Sequence, residues 1–379
     1  MDGSRFVPNI GVPSTVRLLL IADSSYAFLA TTAPIPLPHS EKYFYAVSQG
    51  NEIILGNETT SQIAASLPDE KPIIQLLNDR EAIFSIQSDG EVTSLDHTGK
   101  IIWEAKTRGL PNVHSILTDH ALIVASDSAI GAFDVHSGEK LWVYHESLSV
   151  SSIIYDNKSD LIIAALSFNN PDAGDSIICI ARDGSVKSRC GFASAFIISN
   201  LCLCGKDKDK IAFGYVGKTK NAGSARTMHV VIYSGIETGN PKNISDHEVP
   251  YLPMSIASNQ SVVLSSGFRD SGGDLESGLD AFYAEDTMKL WQRRLSYPIV
   301  LSPAISEKYA YFSLTFSTQA AVPTQSIFYT IDISTGKTLG ELPVTGAHNG
   351  FATGIPVPME ERGFMLKDRN CAVIYFLKP

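Results

Sequence analysis

The chain has 379 residues, 44% apolar and 18% charged, which excludes a disordered polypeptide and leaves room for a large buried core. Its formal net charge of -10 argues against a nucleic-acid partner, which usually demands a basic surface. No apolar run is long enough to cross a bilayer, so no transmembrane segment is expected.

Residues 1–15 are expected to form an N-terminal tail and residues 16–379 a single repeat domain. Residues 16–22 predict a strand: Arg17 leads a short apolar run that Asp23, Ser24 and Ser25 end at once, too soon for a secretion signal. Units then begin near Ser24, Lys71, Pro111, Val150, Ser194, Tyr251, Ile299 and Gly350. Each offers two strand-like runs, such as 73–77 and 82–87, or 113–117 and 121–125, followed by a recurring phrase. Segment 196–204 is expected as one strand, with Cys202 and Cys204 on one face as buried thiols. There are five cysteines and no CxxC pair.

The phrase reads VTSLDHTGKIIW at 92–103, GAFDVHSGEKLW at 131–142, DAFYAEDTMKLW at 280–291 and TIDISTGKTLG at 330–340. Weaker copies lie at 178–188 and 231–242. An alternating strand is followed by a polar cluster, in which Gly99, Gly138 or Gly336 can take positive φ, and a second strand follows at once. All three tryptophans, Trp103, Trp142 and Trp291, sit at the same repeat position, as stacking between neighbouring sheets would require. Four strands per unit at this period, without helix-periodic segments, predict an all-β, eight-bladed β-propeller of four-stranded antiparallel blades, with seven blades as the alternative. The last unit lacks a fourth strand, and the spare strand at 16–22 is expected to supply it and close the ring.

The pattern D-x-x-[ST]-G-x-x-x-W resembles the repeat of the PQQ-like, quinoprotein-type propellers. Asp134, Ser137, Gly138 and Trp142 match it fully; Asp96, Gly99 and Trp103 match with one residue fewer; Asp332, Thr335 and Gly336 match with Gly340 in the tryptophan position. The resemblance implies the fold, and its nearest style is the non-catalytic, BamB-type assembly lipoproteins. It therefore implies a scaffold with a protein partner in a periplasmic or otherwise extracytoplasmic setting, a cytoplasmic one staying open. No cofactor or metal is expected, because the adjacent cysteine pair of the quinoprotein dehydrogenases is missing. The alternative is an enzyme using the channel or loop face, such as a quinoprotein-like dehydrogenase, a lyase or a hydrolase. No catalytic residue is identifiable: Gly217-Lys218-Thr219 and Gly336-Lys337-Thr338 lack the upstream glycine of a phosphate loop.

Strand direction puts the B–C and D–A loops of each unit on one face. Long B–C connections are expected at 167–175, 217–226, 267–278 and 315–325, and such clustered insertions mark a binding face. Candidate partner-binding residues are therefore Asp172, Asp175, Lys218, Lys220, Arg226, Arg269, Asp270, Asp274 and Glu276.

Overall fold

A computed structural model describes residues 16–20, 35–37, 45–57, 61–67, 71–106, 114–125, 128–167, 174–193, 195–218, 226–270, 275–295, 303–316, 325–344, 357–358, 363–367 and 372–377. All regular structure among them is β. Sheet I spans residues 35–66, sheet II 73–106, sheet III 114–145, sheet IV 149–192, sheet V 195–249, sheet VI 252–295 and sheet VII 304–344. Sheet VIII combines 357–377 with the first strand of the chain, Val16–Leu20, which pairs antiparallel with Ala372–Leu377 and sets Val16 opposite Leu377. Among the described residues, seven sheets have four antiparallel strands and sheet V has five. First strands of consecutive sheets approach one another from sheet I to sheet VIII, sheet V doing so through Cys202–Cys204, and the chain therefore builds a β-propeller.

The strand runs are continuously apolar because both faces of each sheet are covered. In sheet II, Ala82, Phe84 and Ile86 face sheet III while Ile83 faces sheet I. Six apolar clusters fill the six gaps from sheets I–II to sheets VI–VII. The core is thus a series of inter-sheet layers. Cys202 and Cys204 both pack into the layer between sheets V and VI, where burial pushes their thiols up to about 11 and about 12.

The repeat phrase makes the joints between sheets. Trp103 Nε1 donates to the Val135 carbonyl at 2.9 Å, Trp142 Nε1 to Arg182 at 2.8 Å and Trp291 Nε1 to Ile333 at 2.7 Å. Each ring lies against the turn glycine of the following sheet. A Cβ on Gly138 would stand 2.5 Å from Trp103, on Gly184 2.8 Å from Trp142, and on Gly336 2.7 Å from Trp291. These glycines also hold φ of 70°, 82° and 69°, so both the close approach and the backbone demand glycine. A bulge interrupts the third-to-fourth strand pairing at the equivalent point of sheets I to VII, which marks them as copies even where the phrase is weak. In sheet IV, Ser188 occupies the tryptophan position opposite Cys179, and its hydroxyl donates to the Ile236 carbonyl at 2.7 Å, replacing the indole N–H.

Turn carboxylates complete the joints. Asp134 accepts the Ser137 amide at 2.9 Å and hydroxyl at 3.0 Å; Asp332 accepts the hydroxyls of Ser334 at 2.6 Å and Thr335 at 3.0 Å. The Ser137 amide holds Asp134 below its ordinary 3.8, and the Ser334 and Thr335 hydroxyls do the same for Asp332. A depressed carboxyl stabilises the fold above its unfolded value and loses that contribution as pH falls through the folded value. Stability should therefore be insensitive to these groups above about pH 5 and fall below about pH 4. Melting of the double variant Asp134→Asn, Asp332→Asn from pH 3 to 7 should show a shallower acid limb; an unchanged limb would remove these turns from the acid response.

Two expectations need correction. The strand expected at 196–204 is broken into Ala195–Ile197 and Cys202–Cys204, both pairing with Lys210–Lys218. The intervening residues serve neighbouring sheets instead. The Leu201 amide donates to Ser152 Oγ at 2.9 Å, and the Asn200 side chain both accepts the Ile256 amide and donates to the Ile256 carbonyl. The long connection expected at 267–278 is mostly hairpin. Val262–Asp270 pairs with Leu275–Tyr283, leaving four residues between them. Gly267 and Gly278 face each other across this hairpin because neither has room for a side chain: a Cβ on Gly278 would lie 2.1 Å from the buried Tyr251 ring, and one on Gly267 1.7 Å from the Leu252 carbonyl oxygen.

Candidate functional site

Among the described residues, sheets V and VI have the longest paired middle strands, which end on the face carrying the B–C connections. Their middle strands run nine residues each, against five or six in sheets II and III. Extra ladder pairs turn what looked like loops into stiff arms. Lys218 and Arg226 are cross-strand partners at the tip of the sheet V arm, and Arg269 and Glu276 are partners on the sheet VI arm next to Asp270 and Leu275. Arg226 and Arg269 are exposed. Asp172, Lys220 and Asp274 lie outside the described residues. Asp175, expected as a surface acid, is 1% exposed, and its carboxylate accepts the Ile197 amide at 2.6 Å. It ties sheet IV to sheet V and is withdrawn from any partner surface.

Toward the centre, a cleft of about 740 Å³ is lined by His114, Phe196, Val216, Arg226, Met228 and Met254. The inner strands beside it are serine-rich, and several of those hydroxyls join sheets. Ser115 Oγ donates to Gln75 Oε1 at 2.6 Å, and Ser258 Oγ to the Leu203 carbonyl at 2.6 Å. Asp156 is the one acid in the described inner strands, and it is used in a turn, accepting the Lys158 amide at 3.0 Å. A quinone held with calcium needs carboxylate ligands, and the described inner strands do not supply that set.

A second groove, of about 970 Å³, opens between sheets IV and V. Its floor is the aromatic face of sheet V. Tyr215 stacks on His229 at 4.8 Å and Phe213 on Tyr233 at 5.7 Å, while Phe192 from sheet IV meets Phe213 and Tyr233 edge-on at 5.3 and 5.2 Å. The floor arises because Phe213 and Tyr215 alternate on one strand, and His229 and Tyr233 share the same face of the next. Asp246 accepts from His229 Nδ1 at 2.7 Å, and Nε2 of the same ring lies 2.7 Å from the Thr227 hydroxyl oxygen. Burial, and then the Asp246 charge, push the Tyr215 phenol up, so it stays neutral. Glu248, opposite His229, adds a second carboxylate to the lining. The alternation F-x-Y at 213–215 was the available sequence signal for this groove, masked because the whole run reads as core.

The family model described as outer membrane protein assembly factor BamB matches residues 32–207, which span sheets I to IV and the start of sheet V. BamB from Moraxella catarrhalis has a similar structure, with a TM-score of 0.60, 12% identity, and 96% of this chain and 98% of that chain covered. Sqt1 from Saccharomyces cerevisiae gives 0.65 at 12% identity, covering 92% and 95%. Quinohemoprotein alcohol dehydrogenase from Comamonas testosteroni gives 0.58 at 10% identity, covering 94% of this chain and 76% of that one. With the tryptophan joints, these likenesses make the chain a β-propeller of PQQ-like repeats. The similarity to BamB in sequence is carried by residues 32–207, somewhat less than half of the chain. No curated protein matches it in sequence.

Proposed function

We propose that the protein is an eight-bladed interaction scaffold that performs no bond chemistry and holds a protein partner on the face of the B–C arms. The paired extension of the sheet V and VI hairpins carries this reading. Ladder-stabilised arms present charged tips, with Arg226 and Arg269 exposed, at fixed geometry, and so bind without the ordering cost of a flexible loop. The likeness to an outer membrane protein assembly factor supports it and suggests an extracytoplasmic partner. Photoreactive residues placed at Arg226 and Arg269, and at His136 on the opposite face, test it in the native host. Specific adducts from the first two positions and none from the third are expected. Adducts from His136 alone, or from no position, would overturn the reading.

One observation favours the alternative enzyme. Thr227, His229 and Asp246 are hydrogen-bonded in the order of a nucleophile, base and acid. Hydrolysis of an activated ester by the intact protein, abolished by Thr227→Val, would replace the scaffold reading with an acyl-transfer one.

A further inference from the structure

The geometry points to a binding pocket for an arginine side chain in the groove between sheets IV and V, and we infer that a partner polypeptide supplies it; the partner rests on the scaffold reading, the pocket does not. Three features select this guest. The partly exposed rings of Phe192, Tyr215 and Tyr233, packed around the buried Phe213, form the floor and wall and offer π surface to a cation. Asp246 and Glu248 supply negative charge on the neighbouring strand, and no lysine or arginine lines the groove among the described residues. Both carboxylates belong to exposed residues, so a guest meets them from solvent without first burying a bare charge.

A planar guanidinium fits this combination better than an ammonium. It stacks flat on a tyrosine or phenylalanine while its edge forks toward a carboxylate, and it is the more weakly hydrated ion. At about 970 Å³ the groove also has room for chain on either side of the side chain, as a peptide guest requires. The groove is bounded by Gly217 and Thr227 at the end of sheet V from which its arm rises, so an arginine seated here would belong to a partner also touching Lys218 and Arg226. His229 is held by Asp246 and Thr227, which keeps the ring stacked beneath Tyr215 and the floor flat.

The test uses the intact protein and three capped tripeptides, Gly-Arg-Gly, Gly-Lys-Gly and Gly-citrulline-Gly, read by aromatic resonances of Phe192, Tyr215 and Tyr233. The arginine peptide should shift these signals saturably with a Kd of roughly millimolar strength, and the neutral citrulline peptide should bind at least about tenfold more weakly. Glu248→Gln, at an exposed position, should weaken the arginine peptide by about threefold or more at unchanged melting temperature. Tyr233→Leu should remove the shifts of Tyr215 and Phe192. Equal binding of citrulline, equal binding of lysine, or no shift with the arginine peptide at about ten times the expected Kd would each overturn the assignment. Because no partner is present, failure here leaves the photocrosslinking result standing, and failure there leaves this one standing.

Discussion

Replacing Trp103 with alanine is expected to destabilise the protein by ~3–5 kcal/mol, the range for removing a large buried aromatic. The ring is 8% exposed, donates to the Val135 carbonyl at 2.9 Å, and lies 5.9 Å from Phe84 between centroids. Its removal empties the joint between sheets II and III and leaves that carbonyl without its donor. The more diagnostic result is a coupling. Gly138→Ala alone should be severely destabilising, since the new Cβ would stand 2.5 Å from the indole and the residue holds φ of 70°. In the Trp103→Ala background the same change should cost only the left-handed backbone strain, about 1–2 kcal/mol. Urea melts of the four proteins give the comparison. An equal penalty for Gly138→Ala in both backgrounds would mean that the tryptophan does not rest on the next sheet's turn.

The second large effect is expected at Asp280, whose side chain is 0% exposed and takes both Arg294 at 2.8 Å and Lys289 at 3.2 Å. Asp280→Ala should cost ~3 kcal/mol, the lower end for breaking a buried pair, because both cations are about a third exposed and can turn to water. The carboxylate also orients Arg294, which sits 5.5 Å from the Tyr251 ring centroid. Asp280→Ala combined with Arg294→Ala should therefore cost clearly less than the sum of the single changes. Strict additivity in denaturant melts would show the two side chains to be energetically independent.

Much of the ring was legible because its physics is local. The apolar runs of the middle strands, the Asp–Gly turns and the tryptophans each state a burial or a backbone requirement within about a dozen residues. Even the long-range pairing of Val16–Leu20 with Ala372–Leu377 followed from counting strands, since the last unit was one short. What escaped depends on partners far away in sequence. Gly267 and Gly278 read as loop glycines, yet they are strand positions whose side-chain space is taken by the Leu252 carbonyl and the Tyr251 ring. Asp175 read as a surface acid, yet its partner is the Ile197 amide of the next sheet. Ser188 carried no resemblance to tryptophan, although one hydroxyl can make the same inter-sheet hydrogen bond. The aromatic groove was hidden for a related reason: its rings look like core, and only the contour of sheet IV beside them leaves part of that face open.

Cysteine pairs across the closing strands test the ring most directly. Leu18 lies opposite Tyr375 and Leu19 opposite Ile374. Adjacent antiparallel pairs alternate between wide and narrow Cα spacing, so one of the two sites suits a disulfide. In a Cys371→Ser background, oxidation of Leu18→Cys with Tyr375→Cys, or of Leu19→Cys with Ile374→Cys, should join the two ends of the folded chain at one site, giving a compact band on a non-reducing gel. The out-of-register pair Leu18→Cys with Ala372→Cys should not link. A folded protein in which neither matched pair links, or in which the mismatched pair links equally well, would contradict a ring closed by its first strand.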